Sequence, residues 1–484
     1  MESFNSTKIR YEPGTSRLLL SARWALGGST LILSGIVGGL WGQFYVHEKL
    51  VPKIVQVLGQ TLDRPVQLGP IERVSLTSIR LGASTIGATT TDLDQLSAKA
   101  IEIKFNLLQV LLSQKLGLTI AVLQPNIFLD QDAAGNWIDP ELGIPAAELL
   151  GTELFELTQV QLRDARLELA PHPQSSNLQL AAANKVADKT VQGTTKQASP
   201  ASKDNTLVAF EQINASLNWR GQSQQLVFDS SGQSNQGGQF QIQGNAALET
   251  GTIALSVTTD DLPVVSLNPL LPAMMRVEAG ILDSDLAVQL HPDRPLSVEG
   301  TADLADAAAR IEAEPNPFHQ LQARLQFQGQ TAVVESASLQ FGQIPVQVQG
   351  LLHLERGFDL TAQMQPVGLA EFMETIQMEI PVPFEGALQG DDLRVTGPFD
   401  QVIVTGTLYD AQPLQLDQIP FASFRTNFRL DRATNMVALQ DAELNPVSGG
   451  QIRSHGRVQI YTDEDNAALS LQVKDLSADA IARA

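Results

Sequence analysis

Residues 321–328 read Leu-Gln-Ala-Arg-Leu-Gln-Phe-Gln, an unbroken alternation of apolar and polar side chains. Period two places Leu321, Ala323, Leu325 and Phe327 on one face of an extended strand, and the glutamines with Arg324 on the other. The same spelling continues in Val346-Gln347-Val348-Gln349-Gly350, with Leu352 and Leu354 beyond it, and occurs earlier in Phe240-Gln241-Ile242-Gln243-Gly244. Antiparallel sheets with one solvated face carry this pattern. Alternation does not say what covers the apolar face. It fits the closed core of a β-sandwich, and also a long bent sheet whose apolar face lines a groove.

Repeats extend the reading outward. Phe210 opens FEQINASLNW, Phe318 opens FHQLQARLQF and Phe421 opens FASFRTNFRL, at starts 108 and 103 residues apart. Gly280-Ile281-Leu282 and Gly386-Ala387-Leu388 recur at 106 residues, and Gly300-Thr301 and Gly406-Thr407 each lead into a strand before the phenylalanine. Helix-like closing segments also correspond, starting at Asp261, Gln365 and Asp475. One repeat is several strands followed by a short helix or turn, and such repetition favours an extended form over a closed globule. The fold class is therefore mainly β: an extended, repetitive antiparallel sheet, trough-like, with a few short helices. The third copy stops at Ala484 without a polar capping element, which reads as a truncated product or the front portion of a longer protein.

At the other end, residues 24–46 (WALGGSTLILSGIVGGLWGQFYV) carry no formal charge. As a helix they would reach roughly 34 Å, enough to cross a hydrocarbon core of about 30 Å. Leu31 and Ile36 would face its middle, and Trp24, Trp41 and Tyr45 its interfaces. Lys8, Arg10, Arg17 and Arg23 precede the span, so the positive-inside rule leaves residues 1–23 in the cytoplasm and exports the rest. A cleaved signal peptide would have a shorter apolar region and a small-x-small site, which Tyr45-Val46-His47-Glu48 is not. The expected topology is a single-pass inner-membrane protein with its bulk in the periplasm.

Net charge is −21, and the part beyond the span carries 28 Lys and Arg against 51 Asp and Glu. That surface repels phosphate backbones and argues against nucleic acid as a partner. Cysteine is absent, which removes disulfides, thiolate metal sites and cysteine nucleophiles together. The six histidines are scattered without zinc spacing, and neither a nucleophile elbow nor a phosphate-binding glycine loop occurs. Asp130, Asp132 and Asp139, and separately Asp391-Asp392 beside Gly390, read as turns rather than metal sites. The expectation is a non-enzyme with no catalytic residue, cofactor or metal.

Val51 to Leu62 carries a helical stripe. Ser97 to Phe105 alternates with a slip near Ile101, Leu118 to Leu129 reads as a strand running into a hairpin turn at DQDAAGNW, and Gln159 to Ala170 alternates again. Residues 171–206 lack aromatics and are rich in Gln, Ala, Ser and Thr, the composition of a disordered insertion. The strand regions are then 47–170 and 207–484.

In this order, Leu62-Asp63-Arg64-Pro65-Val66-Gln67-Leu68-Gly69-Pro70, Val74 to Gly82, Phe105-Asn106-Leu107-Leu108, Gln124 to Asp132 and Gly135-Asn136-Trp137 resemble the N-terminal part of the TamB family in the AsmA-like superfamily. The version is that of photosynthetic bacteria and plastid envelopes, and the likeness covers residues 24–170. It implies an inner-membrane protein with a trough-shaped β-structure, acting in phospholipid transport to the outer membrane and in biogenesis of outer-membrane β-barrels. Relatives are usually longer and end in a domain that meets an outer-membrane barrel protein, for which this chain has no candidate. The implied partners are phospholipid acyl chains, taken along an apolar groove lined by the alternating residues above. The other reading is a scaffold that holds barrel strands at exposed sheet edges during their assembly and secretion.

Overall fold

The computed structural model describes residues 65–75, 77–89, 93–106, 116–131, 155–171, 207–220, 225–247, 250–271, 275–312, 314–378, 382–461 and 467–476. The membrane span, the helix expected over 51–62 and nearly all of the 171–206 insertion lie outside them. Among the described residues no helix is long and apolar enough to cross a membrane. They are mainly β, with 23 strands and two short helices. Contacts divide the chain into two units, Met1–Leu262 with Ala287–Leu296, and Pro263–Leu286 with Ser297–Ala484.

In the first unit, four short strands lead: β1 (Val66–Gln67), β2 (Ile71–Val74), β3 (Ser78–Leu81) and β4 (Ser84–Ile86). β1 pairs with β4, β2 with β3, and β3 and β4 both pair with β5 (Gln95–Asn106). The ladder continues through β6 (Leu116–Asp130), β7 (Phe155–Ala170), β8 (Val208–Arg220), β9 (Gln225–Ser234), β10 (Gly237–Ala247) and β11 (Thr252–Pro263). One pair departs from the expected antiparallel rule. β6 and β7 are parallel, with Ile120 opposite Val160 and Leu129 opposite Leu169. The turn expected after Leu129 therefore does not form a hairpin between them, because parallel neighbours need a long return connection.

A 3₁₀ helix (Val264–Leu270) opens the second unit, and β12 (Met275–His291) and β13 (Arg294–Ile311) contribute residues to both. Then follow β14 (Phe318–Gly329), β15 (Thr331–Phe341), β16 (Ile344–His353), β17 (Gly357–Gly368), helix α1 (Leu369–Thr375) and β18 (Phe384–Gly397). The last strands are β19 (Ile403–Leu416), β20 (Ile419–Asp431), β21 (Met436–Pro446), β22 (Gln451–Gln459) and β23 (Ala467–Lys474). From β13 to β23 each strand pairs antiparallel with the next. The core of this unit gathers Ile344, Ala362, Met364, Val367, Leu388, Leu393, Leu414 and Phe421. Seven residues make a marginal helix by themselves, and α1 owes its place to Leu369 and Phe372, which pack on that core.

Two of the corresponding segments can be compared directly, while the one starting at Asp475 lies, beyond Leu476, outside the described residues. The 3₁₀ helix and α1 begin 105 residues apart in matching positions, and Gly280 and Gly386 share φ values of +126° and +120°. Gly300 and Gly406, expected to lead into strands, lie inside β13 and β19, opposite Phe327 and Phe428. A second correction concerns Asp391-Asp392. These residues do not turn a hairpin but lie inside β18, with Asp392 at φ +53° and the ladder shifting register between Asp391 and Arg394.

That feature recurs. Non-glycine residues with positive φ sit within strands at Gln124, Asp164, Gln212, Asp261, Asp306, Gln320, Asp392 and Asp441. At each one the parity of the apolar face changes. In β13, Ala302 and Leu304 precede Asp306, and Ala307 and Ala309 follow it, all on the buried side. In β7, Val160 and Leu162 precede Asp164, and Ala165, Leu167 and Leu169 follow it. A straight strand would turn the second set outward, since a one-residue slip inverts the faces. An inserted residue in the left-handed region restores the phase and bends the strand, and Asp tolerates that region better than most side chains.

Candidate functional site

One face of each unit is a continuous apolar row. In the second unit the register links Ala302, Leu325, Val334, Gly350, Leu360, Val395, Val404, Leu430, Val437, Val458 and Ala467, one residue from each strand between β13 and β23. In the first unit the chain of partners is Ile79, Ile103, Ile120, Val160, Leu217, Phe228, Gly244 and Leu255. Such rows arise because each strand alternates while the bulges keep the alternation in phase across neighbours.

Of the residues singled out from sequence, Leu321, Ala323, Leu325 and Phe327 of β14 share the row's face with Val346, Val348 and Leu352 of β16. All seven are half-buried, neither sealed nor fully in solvent, while Gln322, Arg324, Gln347 and Gln349 stand exposed on the opposite face. Val346 and Val348 pack against the core of the unit. Leu354 is not on the row. It lies past the end of β16, 56 % exposed, and its backbone N–H donates to Gln330 O. Phe240 and Ile242 belong to the first unit and are likewise half-buried. Phe240 meets Phe210 edge-on at 5.6 Å between ring centroids and so joins a small core with Ala165, Leu169 and Ile213. Ile242 faces Val257 and Ser230. The anchor residues Trp24, Leu31, Ile36, Trp41 and Tyr45 lie outside the described residues.

Within the first unit, an open hollow of about 510 Å³ is lined by Phe228, Gly244, Ala254 and Leu255 among others. The opposite face is polar and cross-linked strand to strand. Lys99 Nζ donates to Gln124 Oε1 at 3.0 Å, Gln124 Nε2 to Asp164 Oδ2 at 2.9 Å, and Arg166 Nη1 to Glu211 Oε1 at 2.6 Å. In the second unit Arg324 Nε donates to Asp303 Oδ1 at 2.7 Å, and Tyr409 donates its phenolic proton to Asp391. These partners raise the pKa of both donors by stabilising their protonated forms. Solvent screens exposed pairs of this kind, so they orient neighbouring strands more than they stabilise them.

Among the described residues no cluster of His, Asp and Glu is arranged to hold a metal ion. Asp94 Oδ1 accepts a 2.8 Å hydrogen bond from the backbone N–H of Asp130, while Asp132 and Asp139 lie outside the described residues. In the first unit only Phe240 and Ile242, on the face of Gly244, were singled out from the sequence, although the parity switches at Gln124, Asp164 and Gln212 carried the signal for the rest of the row.

Over 208 residues the chain is 26 % identical to the protein SUBSTANDARD STARCH GRAIN 4, chloroplastic, of Oryza sativa subsp. japonica. The match covers 37 % of this chain and 10 % of the rice protein, so the chain spans only a small part of that relative's length. No protein-family model matches the chain, and no solved structure matches it.

Proposed function

We propose that each unit is a trough whose apolar face takes phospholipid acyl chains, and that the protein assists lipid movement between an inner and an outer membrane. The observation that carries this reading is the apolar row of the second unit, whose candidate side chains on β14 and β16 are half-buried while their row neighbours Ala302, Val334 and Val458 are buried. A sandwich core would bury them against a second sheet. An acyl chain needs only a long apolar lining one chain wide, and the row supplies one. In-strand bulges bend such a sheet toward a trough. The resemblance of residues 24–170 to the TamB family supports the same reading. On it, residues 24–46 anchor the chain in the inner membrane and the acidic bulk lies in the periplasm.

The test is photo-crosslinking in intact cells from residues 323, 325, 327 and 348. Lipid adducts from these positions, but not from 324 or 326, are expected. Equal labelling of both faces, or none with the fold intact, would exclude the groove.

A further inference from the structure

The connections between β13 and β23 alternate between two rims of the second unit, because successive strands are antiparallel. The β13–β14 connection (312–317) lies on one rim. The β20–β21 turn (432–435) and Tyr461, which follows β22, lie on the other. These connections are seven strand spacings apart, roughly 34 Å along a flat sheet at about 4.8 Å per strand. Yet Arg432 Nη2 donates to Glu314 Oε2 at 2.6 Å, across 118 positions of sequence. The sheet therefore bends and coils until its opposite rims touch.

The contact is built on both sides. Arg432 and Glu314 side chains are only 15 % and 21 % exposed, and Arg432 Nη1 also donates to Asn435 Oδ1 at 2.6 Å. The guanidinium carbon lies 5.2 Å from the centroid of the Tyr461 ring. Asn316, two residues after Glu314, donates through Nδ2 to Thr375 O at 2.6 Å. It thereby ties the same rim to the end of α1. α1 in turn lies on the apolar face through Leu369 and Phe372, beside Val346 and Val348. The pairs Arg80–Glu72, Arg166–Glu211, Arg324–Asp303 and Arg453–Glu443, by contrast, join consecutive strands and are more exposed.

We infer that Glu314, Arg432 and Tyr461 form a latch between the two rims of the second unit, and that an acyl chain enters its groove sideways only when the latch is open. The inference rests on the lipid-groove reading and adds its regulation. A half-buried ion pair suits such a device because either partner alone is left poorly solvated. Closure is then cooperative, and opening exposes both charges to water together.

The test uses the full chain, whose lack of cysteine lets Glu312→Cys and Ala433→Cys carry the only two spin labels. The labels should sit at one short, narrow distance. Arg432→Glu should lengthen and broaden it, Glu314→Gln should do so more mildly should the reversal fail to fold, and the swap Glu314→Arg with Arg432→Glu should restore it. Uptake of a pyrene-labelled acyl chain from phosphatidylcholine vesicles should quicken about tenfold in the single variants as the open population rises. A bis-maleimide bridge across Cys-substituted 312 and 433 should slow it in the parent. Unchanged label distances, or widened distances with unchanged uptake, overturn the latch. Absence of uptake in every form, bridged or opened, sinks the groove reading and the gating with it.

Discussion

Gln124 of β6 and Asp164 of β7 lie side by side at φ +48° and +54°, joined by a 2.9 Å hydrogen bond from Gln124 Nε2 to Asp164 Oδ2. Gln212 continues the line in β8 at φ +53°, and the backbone N–H of Asp164 donates to Asn214 Oδ1 at 3.2 Å. Left-handed residues thus stand in three adjacent strands, where they re-phase the apolar row together.

The same device in β13 gives a simple stability test. Asp306 is exposed at φ +49°, a conformation that a β-branched side chain strongly disfavours. Asp306→Val should cost about 1–2 kcal/mol in urea unfolding, while Asp306→Gly stays within about 0.5 kcal/mol. Equal effects of the two would mean the backbone there is not constrained.

Gly300 occupies a tighter position. It has φ +122°, and an added Cβ would lie 2.0 Å from Asp285 O, a backbone atom that gives way only by opening the ladder. Gly300→Ala should lower stability by about 2 kcal/mol or more. The near-ultraviolet circular dichroism should change too, since Phe327 sits directly opposite.

Burial separates two leucines of the second unit. Leu325 is half-buried on the row, while Leu393 is 7 % exposed inside the core. Leu325→Asp should lose about 1–2 kcal/mol and remain folded, and Leu393→Asp should lose several, about 3–5 kcal/mol, by stranding a charge. Chemical denaturation of both variants decides it. Similar losses would indicate that the row is a sealed core.

Burial pushes the Tyr461 phenol up to about 12 from its usual value near 10, and the Arg432 charge opposes this only in part. The folded state thus holds the proton longer than the unfolded chain does. Its stabilisation is complete below about pH 10 and is lost as pH rises toward about 12, on the order of 2 kcal/mol in all. Tyr461→Phe should flatten that alkaline decline in a pH series of urea midpoints. An unchanged slope would show that Tyr461 is not the group responsible.

Leu321 to Gln328 is legible in the chain as a strand with one apolar face, and the two short helices at Val264–Leu270 and Leu369–Thr375 fall where the spacing of their sequences places them. Those properties reside in local periodicity, which each strand carries whatever its neighbours do. The sequence also held the parity switch at Asp392, but beside Gly390 it read as a turn. A strand bulge and a hairpin draw on the same Asp and Gly chemistry, and only pairing with β17 and β19 distinguishes them. Only the folded chain shows that β6 and β7 run parallel, that the apolar faces of separate strands align by register, and that Glu314 reaches Arg432. Those outcomes depend on register and curvature accumulated over many strands, and no spacing in the chain records their sum.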